Sequence, residues 1–410
     1  MSKEKISWLF GAGVSKKFGG PLISDLNNFV LLGPEEGWLY RSQIKRYEYS
    51  YPEYIAFNSR SDNVNYQLNG MEYSLFDILI YINEIVEAYI NEIKVNPVYK
   101  SDINYEDFLG LLLYLQEVLR RGDENIGLKE LPFFFSKAKE MFDCDEKSFI
   151  IDLHDKVIDI LIARIHLYLE KKINPYKKGE LKFIEDILDT FEYGSILTLN
   201  NDLIIEQLLE LNYLDYNDGF IEEIKLNDSF KTYRYDNRIS SNRANFFKLH
   251  GSLDQITHLS QDSQISRSET FKFEYSELGS VLDYFRKPRE NKLEYTFSNI
   301  IAGSSIKEKK YFSEHYFHVI RKAFYSLEEV NKLIVVGYGF GDKGINNFVL
   351  NWLNLDTVNK LFVIDPSPFI NENVVISRWK KSKNLKHRVY IINEKIEDYR
   401  LEDFLILIEK

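Results

Sequence analysis

The sequence predicts an α/β fold in which a parallel β-sheet is interrupted by a large helical insertion. Two observations support this class. Short apolar segments alternate with amphipathic helical stretches near both ends of the chain, beginning at Ile6–Phe10 and again at 333–336. Between these ends, residues 70–190 carry helical periodicity and contain no strand candidates. Because strands that alternate with helices usually pair in parallel through right-handed crossovers, the two ends are expected to build one sheet.

The chain begins with a strand, a glycine turn and a helix. Ile6 to Phe10 are mainly apolar and end at Gly11, a pattern that is typical of a buried strand. After the glycines, Leu22–Leu32 has helical spacing. Residues 34–73 are rich in Tyr, Asn and Ser, so loops with short elements are expected there.

Four helices are predicted in the helical insertion. From Ser74 onward, apolar residues recur at three- to four-residue spacing, which is the stripe of an amphipathic helix. The same spacing predicts helices at about 105–121, 148–172 and 181–191. No residue pattern in this insertion suggests chemistry. Its apolar stripes fit either core packing or an oligomer interface, and the sequence leaves both open.

Alternation of strands and helices resumes after residue 190. Strands are predicted at 195–199, 246–249, 333–336, 361–364 and 389–392, and helices at 204–211, 314–327, 345–353 and 401–408. Residues 254–312 are polar and weakly periodic, so we expect a loop-rich insertion or a lid there. The predicted organisation is a discontinuous sheet domain at 1–35 and 190–410, a helical insertion at 70–190, and the loop-rich segment at 254–312.

Composition excludes several classes of protein. The 52 Lys and Arg residues against 63 Asp and Glu give a net charge of −11, so direct nucleic-acid binding is not expected. A single cysteine, Cys144, excludes an internal disulfide framework and a four-cysteine zinc site. His315 and His318 lack a third ligand, so no metal is expected. The chain has neither a membrane-spanning apolar run nor a signal peptide at its start, which predicts a cytoplasmic protein.

Four glycine-rich or polar turns each follow a predicted strand. They are Gly11–Ser15, Thr198–Asp202, His250–Gly251 and Gly337–Asp342. Because parallel strands end at one shared edge, where ligands bind, the four turns are expected to converge on one site. Glycine lacks a Cβ and lets backbone amides approach a phosphate at the start of a helix. Each turn also has a structural explanation, with glycine for a tight turn, Asn200 and Asp202 as helix caps, and His250 as a hydrogen-bonded core residue.

The order of these motifs resembles the sirtuin superfamily. The motifs are G-A-G-x-S, T-x-N-x-D, K-L-H-G and a late G-Y-G-F-G-D. They are more similar to the sirtuin-like proteins of bacterial anti-phage defence than to protein deacylases. The matched segments are about 8–32, 195–211, 246–253 and 333–366. The resemblance implies a Rossmann-like, NAD-binding sheet domain.

The resemblance also implies a role for each matched residue. Asn200 and His250 are the implied catalytic residues, with Asn200 orienting the nicotinamide ribose and an attacking water, and His250 acting as the general base. Asp202 is implied to hold the nicotinamide carboxamide. The other implied NAD contacts, along the pyrophosphate, the riboses and the adenosine, are Gly11, Ala12, Gly13, Ser15, Thr198, Gly337, Gly339, Phe340 and Asp365.

Departures from the deacylating sirtuins favour hydrolysis of NAD. Those enzymes carry a four-cysteine zinc module, which a chain with one cysteine cannot build. The glutamine usual in the second motif is absent from Leu199-Asn200-Asn201, and no arginine follows Gly20-Pro21. Water is then a better acceptor of the ADP-ribosyl group than acetyl-lysine. We therefore expect an NAD+ nucleosidase, a glycohydrolase that depletes NAD during phage infection and needs no metal.

Two other functions stay open on the sequence alone. One is a module that binds NAD or an ADP-ribose-like signal without turnover, and the other is an NAD-dependent protein deacylase. An enzyme that depletes NAD to abort phage infection has to be inactive in healthy cells, so its activity is expected to be controlled. The implied means of control are homo-oligomerisation, the helical insertion, and a separately encoded HerA-type ATPase or a phage-derived trigger. No membrane partner is expected.

Overall fold

The structure of the 410-residue protein is a computed structural model. It describes residues 5–21, 23–32, 65–68, 71–95, 105–121, 132–144, 146–227, 230–236, 240, 243–262, 265–274, 293–300, 314–367, 370 and 373–408.

The described strands belong to one parallel sheet and two antiparallel sheets. In chain order they are β1 (Lys5–Phe10), β2 (Asn65–Leu68), β3 (Met71–Ser74), β4 (Glu192–Thr198), β5 (Tyr216–Asn217), β6 (Phe220–Asn227), β7 (Phe230–Tyr235), β8 (Ala244–Lys248), β9 (Gly251–Asp262), β10 (Ile265–Phe273), β11 (Leu293–Ile300), β12 (Lys332–Val336), β13 (Lys360–Ile364) and β14 (Val389–Ile392).

The described helices range from a single turn to 26 residues. In chain order they are α1 (Ala12–Ser15), α2 (Ile23–Leu32), α3 (Leu75–Val95), α4 (Tyr105–Arg121), α5 (Pro132–Phe142), α6 (Lys147–Lys172), α7 (Lys182–Thr190), α8 (Ile204–Leu211), α9 (Glu314–Glu328), α10 (Lys343–Leu355), α11 (Val374–Lys381) and α12 (Leu401–Ile408). Helix α1 continues into a short 3₁₀ turn at Lys16–Phe18.

The main sheet has seven strands in the order β14-β13-β12-β1-β4-β8-β5, and every neighbouring pair is parallel. This confirms the predicted α/β class with a parallel, Rossmann-like sheet. The predicted strands at both ends of the chain are present, with ends that differ by a few residues. Their continuous apolar sequences reflect burial on both faces, as is usual for parallel sheets.

Successive residues of each main-sheet strand pack into two different hydrophobic cores. Leu9 and Val335 face one core, together with helices α9, α10 and α11. Trp8 and Ile334 face the other core, together with helices α7, α8 and α12. The sheet is therefore covered by helices on both sides, and its carboxyl edge is left to the connecting turns.

A second sheet corrects the expectation for residues 254–312. Strands β9, β10 and β11 pair antiparallel with one another and with β6 and β7, in the order β11-β9-β10-β7-β6. Leu253, Ile256 and Leu259 are three residues apart, which hides the two-residue period of a strand. Polar cross-strand pairs, such as the 3.1 Å contact between Thr257 and Thr270, hide it further. The rest of the predicted loop-rich segment or lid, at 263–264, 275–292 and 301–312, lies outside the described residues.

The chain divides into two compact units. The sheet unit consists of 1–20, 172–301 and 308–410, and the helical unit consists of 21–171 and 302–307. These bounds differ from the predicted domains at two helices. Helix α7, expected in the helical insertion, lies in the sheet unit and packs Phe183 into its core. Helix α2, expected in the sheet domain, lies in the helical unit.

Two buried polar side chains in the helical unit make hydrogen bonds to backbone or to another side chain. Arg164 in α6 donates from Nη1 to Val30 O at 2.8 Å and to Leu31 O at 3.3 Å, which satisfies carbonyls at the end of α2. His154 Nε2 lies 2.9 Å from the Tyr81 hydroxyl, and burial lowers the pKa of His154 to about 3. None of the described helices combines the length and the apolar character needed to cross a membrane.

Candidate active site

The four turns expected to form the site lie side by side at the carboxyl edge of the main sheet. Each follows one of the adjacent strands β12, β1, β4 and β8. Backbone hydrogen bonds of 2.9 Å join neighbouring strand ends, from Gly11 N to Val336 O, Leu199 N to Phe10 O and Leu249 N to Thr198 O. The structure thus brings the four motifs to one edge, which is where parallel α/β sheets bind ligands.

The first and fourth turns interlock through glycine backbones. Gly13 N donates to Gly337 O at 2.9 Å, and Gly337 has a left-handed φ of +63°. A Cβ on Gly11 would lie 2.6 Å from Gly337 O, and one on Gly13 would lie 2.7 Å from Gly337 Cα. Contact between the two turns therefore requires these glycines. The N–H groups of Gly11 and Gly13 are engaged within the protein, so the structural explanation that the sequence left open applies here.

Asn200 connects the first turn to the second. Its Nδ2 donates to Ser15 Oγ at 2.9 Å, and both residues are almost fully buried. The backbone N–H of Asn200 donates to Thr198 Oγ1 at 3.0 Å. Thr198 therefore shapes the turn that carries Asn200, while Asn200 and Ser15 meet although they are far apart in sequence.

The second and third turns form one hydrogen-bonded unit. Leu253 N donates to Asn201 O at 3.0 Å. With the amide oriented to satisfy both groups, Asn201 Nδ2 donates to His250 O at 2.8 Å. Lys248 Nζ donates to Asp202 O at 2.5 Å. Side chains on both turns thus hold the Asn200–Asp202 turn against the segment that carries His250.

Asp202 lies just before helix α8, whose N-cap residue is Leu203. Its Oδ1 accepts a hydrogen bond from Ile204 N at 3.0 Å, so Asp202 orders the turn that leads into the helix and is not its N-cap. The residue is 5% exposed. One carboxylate oxygen of Asp202 is therefore engaged with the helix start, and a contact with a carboxamide would fall to the other oxygen.

His250 reaches from the third turn to the fourth. Its Nε2 lies 3.2 Å from Asp342 Oδ2, and both side chains are at least nine-tenths buried. A carboxylate acceptor at Nε2 selects the tautomer that carries its proton there, so Nδ1 is the nitrogen that accepts a further proton. Asp342 was part of the fourth motif, but the sequence assigned it no role. The pair has the His–Asp arrangement that orients a general base.

In the outer part of the fourth turn, the ring of one expected contact residue packs into the core. Phe340, expected along the adenosine, is 3% exposed and packs its ring 4.7 Å from Tyr338 and 5.8 Å from Trp379 in the core. A Cβ on Gly339 would meet nothing within 4 Å. Asp365 is half-buried, accepts from Ser367 N at 2.8 Å, and has its pKa raised by burial. Gly339 and Asp365 remain at the edge, whereas the Phe340 ring belongs to the core.

Three residues that structure adds to the site were visible in the sequence without an assigned role. Asp342 and Lys248 are specified letters of the motifs, and Asn201 occupies an unspecified position of the second motif. Their positions in the sequence could have identified them, because each lies one or two residues from a residue to which the resemblance assigned a role. The spacing of the motifs does not indicate which partner each of these side chains contacts.

The His315–His318 pair does not have the surroundings of a metal site. His315 packs its ring 4.6 Å from the ring of Tyr235, and burial lowers its pKa to about 3. His315 is therefore neutral and packs against Tyr235. Among the described residues, no three His, Cys, Asp or Glu side chains cluster as metal ligands would.

Comparison with protein families finds one match within the sheet unit. A family model described as a SIR2-like domain matches residues 194–387. These residues are therefore similar to a SIR2-like domain. The match includes the second, third and fourth turns, and the structure adds the first glycine turn through strand β1, which lies between β4 and β12. The predicted resemblance to the Sir2 superfamily is confirmed over these residues.

Solved Sir2 structures are similar to the chain at low sequence identity. Three of them are a Sir2 enzyme studied for mechanism and regulation, a mutant Sir2 homologue in complex with ADP-ribose, and a Sir2 with a peptide and NAD+. Each is 11% identical, and each alignment covers 99% of this chain and 91%, 91% and 93% of the other. Their TM-scores are 0.35, 0.35 and 0.33. A comparison with curated protein sequences finds no match.

Proposed function

We propose that the SIR2-like domain is an NAD+ glycohydrolase, which cleaves NAD+ to nicotinamide and ADP-ribose. One observation carries the proposal. Asn200 meets Ser15, and His250 meets Asp342, at the same carboxyl edge of the parallel sheet. An amide, an imidazole with an oriented tautomer and a glycine-lined edge are the groups that hydrolysis of a nicotinamide riboside bond needs.

The reaction requires positioning and a base more than it requires an acid. The bond between C1′ of the ribose and the nicotinamide nitrogen breaks through an oxocarbenium-like state, as in other glycosyl transfers. The bonding electron pair goes to the pyridinium ring, so nicotinamide leaves as a neutral molecule. Water supplies the oxygen that bonds to C1′, and one proton of that water is released. The site therefore has to hold the sugar, place the water and accept a proton.

Asn200 suits the positioning step. Because its Nδ2 is committed to Ser15, Oδ1 is the atom that can accept a hydrogen bond from a water or a ribose hydroxyl. His250 suits the proton step, since Asp342 holds the proton on Nε2 and stabilises the imidazolium that forms when Nδ1 takes up another. The two side chains come from adjacent strand ends, which keeps their spacing rigid.

Turnover by two site variants tests the proposal. Asn200→Ala and His250→Ala are each expected to lower nicotinamide release about 100-fold, the usual size of a lost general-base or positioning contribution. Asn347→Ala and His387→Ala, at exposed positions, are matched controls expected to keep wild-type turnover. Nicotinamide and ADP-ribose are quantified by chromatography after incubation with NAD+. Full activity in either site variant would show that the assigned residues are wrong.

The same assay separates the two alternative functions. Tight binding of NAD+ without nicotinamide release would indicate a binding module. Nicotinamide release that occurs only when an acylated peptide is present would indicate a deacylase. Release with NAD+ alone, at a rate that the peptide does not change, is the result expected for a glycohydrolase.

We further propose that the activity depletes cytoplasmic NAD+ as an effector of anti-phage defence. Such an enzyme has to be silent in uninfected cells, so oligomerisation, a HerA-type ATPase or a phage-derived trigger is proposed to switch it on. Turnover measured on the purified protein with and without each candidate partner, alongside its oligomeric state by light scattering, tests this. A rate that is high and unchanged by every partner would contradict control of this kind.

A further inference from the structure

A buried lysine bridges the two central turns of the site. Lys248, the last residue of β8, has a side chain that is 4% exposed. Its Nζ lies 2.5 Å from Asp202 O and 2.6 Å from Glu206 Oε1. Asp202 stands two residues after Asn200, and Lys248 stands two residues before His250. The ammonium thus contacts the turn that carries Asn200 from the strand that leads to His250.

The surroundings of Lys248 make its burial costly. Glu206 is 5% exposed, and desolvation raises the pKa of its carboxyl to about 7 although Lys248 lowers it. Asp254 lies nearby, with Lys272 3.7 Å from Asp254 Oδ2 and 2.6 Å from Asp218 Oδ2. Within the described residues, Glu206 Oε2 and Asp254 Oδ1 make no hydrogen bond. Buried ion pairs of this kind contribute little net stability compared with apolar packing, so stability is a weak reason for this one.

We propose that Lys248 is a positioning residue that holds the Asn200–Asp202 turn in the geometry required for NAD+ turnover. This inference rests on the proposed function. The neutral ties between the turns, such as Leu253 N to Asn201 O, fix the peptide that precedes Asp202. Lys248 adds a charge-assisted bond to the carbonyl of the peptide that follows Asp202, and such bonds are about twice as strong as neutral ones. Glu206 serves to hold the ammonium at that carbonyl.

The decisive experiment compares a single variant with a double variant of the full chain. Lys248→Met removes the ammonium but leaves Glu206 buried, so both the melting temperature and turnover are expected to fall. Adding Glu206→Gln removes the buried carboxylate as well. The double variant is expected to regain most of the melting temperature, while turnover number stays at least about 10-fold below wild type because Asp202 O still lacks its donor.

Three further measurements separate positioning from folding. Glu206→Gln alone keeps the bond from Lys248 to Asp202 and is expected to lose less turnover than Lys248→Met. Affinity for ADP-ribose is expected to change less than turnover number in the double variant. Lys182→Met removes an exposed lysine that pairs with Asp186 at 2.9 Å, and this control is expected to leave both quantities unchanged.

Hydrogen exchange keeps the inference testable independently of NAD+ chemistry. The double variant is expected to exchange amide protons of residues 198–203 faster than wild type, whether or not the wild-type protein hydrolyses NAD+. Wild-type protein that releases no nicotinamide would overturn the proposed function only. Unchanged exchange at 198–203, or a double variant with wild-type turnover, would overturn the positioning role of Lys248.

Discussion

Asp342 performs two tasks with its two carboxylate oxygens. Oδ1 accepts a hydrogen bond from Ile345 N at 3.1 Å and caps helix α10, while Oδ2 lies 3.2 Å from His250 Nε2. The cap is a requirement of the helix and would be met by asparagine equally well. The contact with His250 needs a negative charge to stabilise an imidazolium. The two tasks can therefore be separated by one substitution.

Asp342→Asn is expected to lower the turnover number of NAD+ hydrolysis by about 10- to 100-fold while the melting temperature stays near that of wild type. Asparagine keeps the acceptor oxygen of the helix cap, but it offers His250 no charge. Steady-state kinetics and thermal unfolding on the same preparation check this. A variant with unchanged turnover would show that Asp342 only caps the helix.

Alanine substitution at two glycines of the fourth turn is expected to have different effects on the free energy of unfolding. Gly337→Ala should lower the free energy of unfolding by about 1–3 kcal/mol, because a left-handed residue would be strained and its Cβ would lie 2.7 Å from Gly13 Cα. Gly339→Ala is the matched control, since its Cβ meets nothing within 4 Å. The control should be neutral or gain less than about 1 kcal/mol. Urea unfolding measures both, and equal losses would contradict the interlocking of the turns.

At the scale of elements, helix α7 shows how local pattern and tertiary position can diverge. Its sequence carries the same helical stripe as the helices before it, so the sequence grouped it with them. In the structure, Phe183 packs against Tyr399 at 4.9 Å and Phe404 at 5.6 Å between ring centroids, in the core beneath the main sheet. Helical periodicity identifies the buried face of a helix but not the partner that covers it.

Phe183→Ala is expected to lower the free energy of unfolding of the sheet unit by about 3–5 kcal/mol, as for other buried aromatic truncations. Phe317→Ala in α9 is the matched control, because Phe317 is 43% exposed and its loss should cost well under that amount. Chemical unfolding followed by tryptophan fluorescence measures the difference, since Trp8 lies 6.4 Å from Phe183. A small loss for Phe183→Ala would place α7 outside the core.

The strands divide into those that sequence could locate and those that it could not. β1, β12 and β13 are continuous apolar runs because both of their faces are buried, and the sequence located them. β9 and β10 place polar residues on buried positions, where Thr257 and Thr270 satisfy one another. Their stability comes from cross-strand pairing, which sequence periodicity does not report.

At the scale of the whole molecule, buried titratable groups give the two units different responses to acid. In the helical unit, the pKa of His154 falls to about 3 through burial. In the sheet unit, the pKa of His315 also falls to about 3, but that of Glu206 rises to about 7. The Glu206 carboxyl binds a proton more tightly in the folded state than in the unfolded state, so lowering the pH through 7 stabilises the sheet unit. This gain offsets the loss of stability that protonation of His315 in the unfolded state causes. In the described part of the helical unit, no carboxyl group has a raised pKa that would offset the effect of His154.

The helical unit is therefore expected to lose stability as pH falls below about 6.5, where unfolded His154 takes up a proton that the folded side chain excludes. The slope is at most about 1.4 kcal/mol per pH unit for one proton. His154→Gln should flatten this acid limb, and exposed His387→Gln should leave it unchanged. Urea unfolding at pH 7.5 and pH 5 measures both. An equal acid slope in wild type and His154→Gln would contradict the assignment.

The sequence by itself determined the α/β class, the positions of the parallel strands and the order of the four motifs, because each depends on neighbouring residues. Only the tertiary structure decided that Asn200 meets Ser15 across 185 residues, that Lys248 lies between Asp202 and Glu206, and that the polar segment after residue 250 forms a second sheet. Periodicity records which residues are buried along one element. Contacts between distant elements depend on how those elements pack together in the folded chain, and the spacing of residues within one element does not determine that packing.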